Sequence, residues 1–381
     1  MLAGMFVNAQ ALRDINFNYQ YALAGSFSFE MKPVRQSDHW IVFYRLQVSD
    51  TTYATNQFSI QWEKRNELNE KEGTSLSAES SEISVLSSTK TKLTGSLIVG
   101  LSQNPQVLVA KVLNNVKKQM WLFFEILEPN YPVNGYLQSS NGEVVFDSYI
   151  NPNISTSIQG FAEGQSLHVS YYSHNFPTAA PAFSEAMARV NPDLHADSLF
   201  QVTNGQQFAL AKKGLYLVQK DTSGGEGISF RVEDGYPKFK RLPDLVGPFM
   251  YVCSKIEYDK LRTSGNDKKQ FDKGVLAITH DPDRAKEFMK NYFRRAEAAN
   301  HYFTSYKEGW KTDRGMLYLI FGEPETVSKF FDREVWSYGK TSFTFVKSST
   351  LFDPDNFVLV RNRKYTQEWY EKVDLLRNGR F

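Results

Sequence analysis

The sequence predicts a mainly β protein that ends in an α+β domain, with two tandem β-sandwich units followed by helices packed on an antiparallel sheet. Three observations carry this reading. From Asn16 to Leu127 apolar and polar residues alternate with the two-residue period of half-buried strands, as in Phe27-Ser28-Phe29-Glu30-Met31 and Phe58-Ser59-Ile60-Gln61-Trp62. Pro129 and Pro132 then interrupt the pattern, because closely spaced prolines stop a strand and stiffen a linker. Beyond residue 242 the apolar spacing changes to three and four residues, the period of a helix. The 381 residues allow two or three domains, and the 29 Phe and 20 Tyr favour sheets.

The first nine residues, Met1 to Ala9, are apolar and end in Val-Asn-Ala before Gln10, which resembles the end of a secretory leader cleaved after Ala9. Residues 1–9 are therefore read as a residual signal peptide, and the chain is expected to be exported. No later run approaches the roughly 18 apolar residues needed to span a bilayer, so a transmembrane chain is not expected.

The first sandwich is assigned to 10–128. Its strands are expected at Phe27–Met31, His39–Val48, Phe58–Trp62, Leu93–Leu101, Gln106–Val112 and Gln119–Leu127, with Asn66–Lys92 as a solvated loop holding one short strand at most. The second unit, 133–242, has strand candidates at Tyr136–Gln138, Val144–Tyr149, Ser155–Ile158, Ser166–Tyr172, Gln207–Leu210, Gly214–Gln219 and Ile228–Val232. Asn175–Pro181 reads as an extended loop. Ser223–Gly227 reads as a hairpin turn, since it lacks the strand and helix flanks of a phosphate loop.

The third region, 243–381, is read as a helical connector followed by the α+β domain. A helix is expected within Pro243–Arg262. A longer one starts at Asp281, a good N-cap, with Pro282 in the first turn, and carries Ala285, Phe288, Tyr292, Ala296, Ala299 and Phe303 on one face. Strands are expected at Met316–Phe321, Glu334–Tyr338, Ser342–Val346 and Phe357–Arg361. A last helix from about Tyr365 to Leu376 turns Trp369, Val373 and Leu376 inward.

At the junction of long helix and sheet, Arg294-Arg295-Ala296, Asn300-His301-Tyr302-Phe303, Glu308-Gly309-Trp310-Lys311-Thr312-Asp313-Arg314-Gly315, Tyr318, Phe321-Gly322-Glu323-Pro324 and Trp336-Ser337-Tyr338 follow in order. This set resembles the C-terminal domain family named for its Gly-Trp-x-Thr-Asp (GWxTD) motif. The resemblance stops at Tyr338, because Leu351–Phe357 lacks the glycine-containing turn expected there. It implies a protein of a Bacteroidetes-type envelope, periplasmic or outer-membrane associated, in a family without an established activity.

Each motif residue has a structural use. Gly309 is expected to end the long helix in the left-handed conformation, Trp310 to fold against its apolar stripe, and Thr312 and Asp313 to bond the following turn. Gly315 then opens a strand, and Asp313 pairs with Arg314 or Arg295. Gly322 and Pro324 form a turn. The chemical alternative is a hydrolase-like site with Asp313 as base and His301 or Arg314 as partner.

Composition excludes several classes. A net charge of +2, from 44 Lys and Arg against 42 Asp and Glu, gives no broad field for a nucleic acid. A single cysteine, Cys253, rules out an internal disulfide and multi-cysteine metal sites. His168 and His174 fall about 20 Å apart on a strand, and His195 with Asp197, or His280 with Asp281 and Asp283, lacks a third ligand nearby. No nucleophile elbow, zinc-helix motif or Walker loop is present, and no cofactor or metal is expected. The expected function is a non-enzymatic, protein-binding or assembly role, with envelope proteins, an outer-membrane complex among them, as partners. A basic excess in the tail, Arg361, Arg363, Lys364, Lys372, Arg377 and Arg380 against Glu368, Glu371 and Asp374, together with Trp369, Tyr370 and Phe381, makes the last helix a candidate binding surface.

Overall fold

A computed structural model describes residues 10–76, 83–185 and 194–381. The leader reading of residues 1–9 lies outside the described residues. In the first unit, alternation produces β1 (Phe27–Arg35), β2 (His39–Val48), β3 (Phe58–Arg65), β4 (Thr74–Leu76), β5 (Ile83–Ser88), β6 (Lys92–Gly100), β7 (Gln106–Asn114) and β8 (Gln119–Leu127). They form two four-stranded antiparallel sheets, in the orders β1-β2-β6-β5 and β4-β3-β7-β8. Inward residues of both sheets, among them Phe29, Trp40, Leu46, Trp62, Leu97, Leu108 and Phe123, make one buried core. The loop expected at Asn66–Lys92 carries the two short strands β4 and β5.

The second unit contains β9 (Tyr136–Ser139), β10 (Tyr149–Ile150), β11 (Thr156–Gln159), β12 (Ser166–Tyr172), β13 (Ser198–Thr203), β14 (Gly214–Gln219) and β15 (Ile228–Val232). A five-stranded sheet, β10-β15-β14-β12-β13, faces the two-stranded β9-β11 pair across Leu137, Ile158, Val169, Val218 and Phe230. The expected strands at 144–149 and 207–210 shrink to β10 and to single bridges at Val144 and Phe208. Unanticipated β13 forms the sheet edge, where Leu199 and Phe200 are adjacent and break the alternation.

The C-terminal unit holds α1 (Leu242–Val246), α2 (Lys255–Thr263), α3 (Lys268–Thr279), α4 (Pro282–Phe303), α5 (Asp313–Phe321), β16 (Thr326–Lys329), β17 (Arg333–Tyr338), β18 (Thr341–Lys347), β19 (Phe357–Leu359) and α6 (Thr366–Arg377). Asp281 caps α4 by accepting from the Arg284 amide at 2.9 Å, and the expected stripe from Phe288 to Phe303 is buried. The connector expected as one helix is three pieces: α1, a 3-10 turn at Gly247–Tyr251, and α2, which starts with a Ser254/Glu257 capping box. The main correction concerns Met316–Phe321, which is helix α5 and not a strand. A continuous apolar run has no polar face to reveal its period, and this run is buried on all sides. The sheet is β16-β17-β18-β19, antiparallel throughout.

One core joins the three units. Val107 and Val109 of β7, on the face opposite the sandwich interior, enter the same cluster as α4, α5 and β16–β19. So does the chain's own start: Leu12, Phe17 and Tyr21 are buried there. This strap, residues 11–23, also closes the open edge of β16, where Phe17 donates to the Val327 carbonyl and the Asn16 side chain accepts from the Val327 amide, both at 2.9 Å. No helix among the described residues is long and apolar enough to cross a membrane.

Candidate functional site

The motif sits where α4 ends and α5 begins, and its backbone is packed too closely for side chains. A Cβ on Gly309 would lie 2.0 Å from the Ala299 carbonyl oxygen of α4, and one on Gly315 would lie 1.8 Å from the Gly309 carbonyl. Gly309 is therefore required by close approach; it opens a 3-10 turn and has no positive φ, contrary to the expected left-handed cap. Gly315 lies in the first turn of α5, not at the start of a strand. The left-handed glycine of this region is Gly322, with φ of 81° at the end of α5, whose carbonyl accepts from Tyr338 Oη at 2.8 Å.

Hydrogen bonds lock the turn. The Gly309 amide donates to Tyr236 Oη at 3.0 Å and Thr304 Oγ1 at 3.1 Å, and the Trp310 amide to Asn300 Oδ1 at 3.2 Å. Thr312 caps α5 by accepting from the Gly315 amide at 3.0 Å. The Trp310 indole is buried, edge-on to Tyr251 and in contact distance of Gly247. Lys311 is also buried, with its ammonium on Asn175 Oδ1 at 2.7 Å and on Glu308 at 2.8 Å. Burial pushes Glu308 up, but Arg231 and Lys311 outweigh it and hold the carboxyl below its ordinary value.

Asp313 does not pair with Arg314 or Arg295. Its carboxylate accepts from the Leu359 amide at 2.8 Å and from both terminal nitrogens of Arg361, so both oxygens are occupied. Arg314 reaches Glu334 at 3.4 Å and lies over the rings of Phe303 and Phe357. Arg295 donates to the Ile320 carbonyl at 3.1 Å. His301 is exposed on α4, beside the Tyr302 ring. The three residues of the chemical alternative thus have separate surroundings. Pro324 is buried, and Trp336 is fully buried between Tyr21, Phe303 and Phe345.

Of the tail residues expected to bind, Trp369 is 2% exposed and packs against Phe183, and Arg377 is tied to Glu257 at 2.6 Å. Tyr370 is 57% exposed and Arg380 is exposed. Sequence reasoning missed Arg361 as the Asp313 partner, Tyr236, and the loop around 175–183. That loop lies along the motif, the Ala179 amide donating to the Lys311 carbonyl at 2.8 Å. Asn300 was already in the ordered residue set and could have been read as a turn anchor.

Where the three units meet, a hollow of about 410 Å³ opens between β1, β8, the 131–133 linker, β15, the end of α4 and the 351–355 turn. Lys32, Glu125, Tyr131, Asp147, Ser305, Arg314, Asp353 and Asp355 contribute polar groups to its wall. Burial lowers Lys32 to about 8, with Arg45 adding to this against Asp147 and Glu30. Burial and then Asp355 raise Glu125 to about 7 and Asp353 to about 6.

The class of protein defined here is a chain whose helix-to-helix glycine turn ties two β units to a terminal α+β domain. Residues 214–378 match the family model described as the GWxTD domain. The match reaches beyond Arg294–Tyr338 in both directions and takes in β14 and β15 of the second β unit. No curated protein matches the chain. Solved structures with some likeness include a titin segment (10% identity, 54% of this chain and 96% of that one, TM-score 0.20) and the IG1 and IG2 domains of DIP-gamma (10%, 55% and 96%, TM-score 0.18). A Salmonella alpha-2-macroglobulin mutant is also similar (11%, 56% and 17%, TM-score 0.17). Agreement at this level transfers nothing to this chain.

Proposed function

We propose that the protein is an exported, non-enzymatic envelope component, periplasmic or outer-membrane associated, that binds other proteins. The observation that carries this reading is the division of labour in the chain. The motif residues are spent inside, on joining the units, while β13 is, among the described residues, left as a six-residue sheet edge without a charged side chain, with Leu199 73% and Phe200 36% exposed. Such an edge accepts an added strand through its unpaired backbone groups. Both oxygens of Asp313 are held by Leu359 and Arg361, which supports an architectural role for that carboxylate over a base.

The test is fractionation of cells making the tagged full-length chain, followed by crosslinking and identification of neighbours, with a Leu199→Lys/Phe200→Lys variant in parallel. The expected result is envelope neighbours that the variant fails to recover. Cytosolic residence of the chain, or equal recovery of neighbours by both forms, overturns it.

A further inference from the structure

The hollow between the three units holds opposite charges that are not paired with each other. Most of the charged groups around it are already matched. Arg314 pairs with Glu334, Asp355 with Lys347 and the Tyr131 hydroxyl, and Asp147 with Arg45, whose other partner is Glu30. Asp353 accepts from the Asp355 amide at 3.0 Å. Two groups are left over. The Lys32 ammonium donates to the Val145 carbonyl at 2.7 Å and keeps two further N–H groups. The Glu125 carboxyl has neither a hydrogen bond nor an ion pair among the described residues; Asp355, Lys329 and Lys347 act on it from a distance. The Ser305 hydroxyl lies beside Asp353 and holds that carboxyl down against its burial.

Holding two opposite charges half-buried and apart is costly unless something bridges them, and the space between is of the size that takes a small molecule, about 300–1,000 Å³. We propose that this hollow binds a zwitterion of amino-acid or short-peptide size, its ammonium on Glu125 and its carboxylate on Lys32. The aromatic walls, Tyr131, Phe146 and Phe352, supply apolar contact for the body of such a ligand. The shifts of Lys32 and Glu125 toward neutrality agree with two charged groups that have no ion pair among the described residues. Binding here does not depend on the protein-binding reading above.

Isothermal titration of the full-length protein with glycylglycine, alanylalanine and trialanine tests this, beside N-acetyl-alanylalanine, alanylalanine amide, putrescine and succinate. The expected result is binding of at least one free peptide, weakened about tenfold or more by blocking either end. In Glu125→Gln the N-acetyl form should bind as well as the free peptide, and in Lys32→Met the amide should do so. Failure of all three peptides to bind at millimolar concentration overturns the proposal, as does equal binding of blocked and free forms or binding of putrescine or succinate alone. If either variant fails to fold, the series of blocked ligands on the unaltered protein still decides. Envelope crosslinking bears only on the protein-binding reading, so the two can fail separately.

Discussion

Gly309 and Trp310 show how little freedom the motif has. With the Ala299 carbonyl 2.0 Å from where a Cβ would stand, Gly309→Ala must push α4 away from the turn, and the expected loss is about 1–3 kcal/mol or more in chemical denaturation. Trp310→Ala should lose about 3–5 kcal/mol, the usual result of deleting a buried aromatic. A parental melting curve for Trp310→Ala would mean the indole is not in the core. The hollow gives a pH dependence. Glu125 and Asp353 titrate near 7 and 6 when folded and near 4 when unfolded, so the folded state binds the extra protons in between. Their contribution is full below about pH 4 and is lost as the pH rises through about 6 and 7. Denaturation midpoints of a Glu125→Gln/Asp353→Asn variant should fall less over that window than those of the parent; an unchanged slope excludes these two carboxyls as its source.

At the scale of elements, legibility depended on whether a pattern is local. The strands of the first sandwich were visible because one face of each is buried and the other is not, and α4 because Asp281, Pro282 and the Phe288–Phe303 stripe agree. Met316–Phe321 was misread because a helix buried on every side shows no period. The pair Asp313–Arg361 was invisible for another reason: sequence proximity favoured Arg314 and Arg295, whereas the true partner lies 48 residues on, just past the end of β19. The strap was hidden in the same way, since Phe17 and Tyr21 read as the start of the first sandwich but are buried in the last domain. Phe17→Ala should therefore cost about 3–5 kcal/mol, with its largest increase in amide exchange at β16 and α5 and little change in the β1–β2 hairpin. Equal exchange in both places would place the strap's contribution in the sandwich.

For the whole molecule, the shared core decides how the chain unfolds. Val107 and Val109 belong to a strand of the first sandwich yet pack on the helices, and the 175–183 loop of the second unit bonds the motif through the Ala179 amide and accepts from the Asn362 amide through the Ala182 carbonyl. The Arg231 guanidinium on β15 reaches the Tyr306 carbonyl at 2.8 Å, and Tyr131 in the first linker reaches Asp355 at 2.6 Å. Each contact crosses a boundary that the prolines and the change of period drew in the sequence, so segments separable by pattern are not separable by packing. A chain joined this way should unfold in one transition by both tryptophan fluorescence and far-ultraviolet circular dichroism. The fragment 214–381 holds the family's matched residues but lacks the strap, the loop and β7, and it leaves Trp336 without Tyr21 and β16 without its edge cover. It should not reach the near-ultraviolet dichroism of the intact protein; a fragment that folds with the parent's stability would show the GWxTD domain to be self-sufficient and the shared core to be incidental.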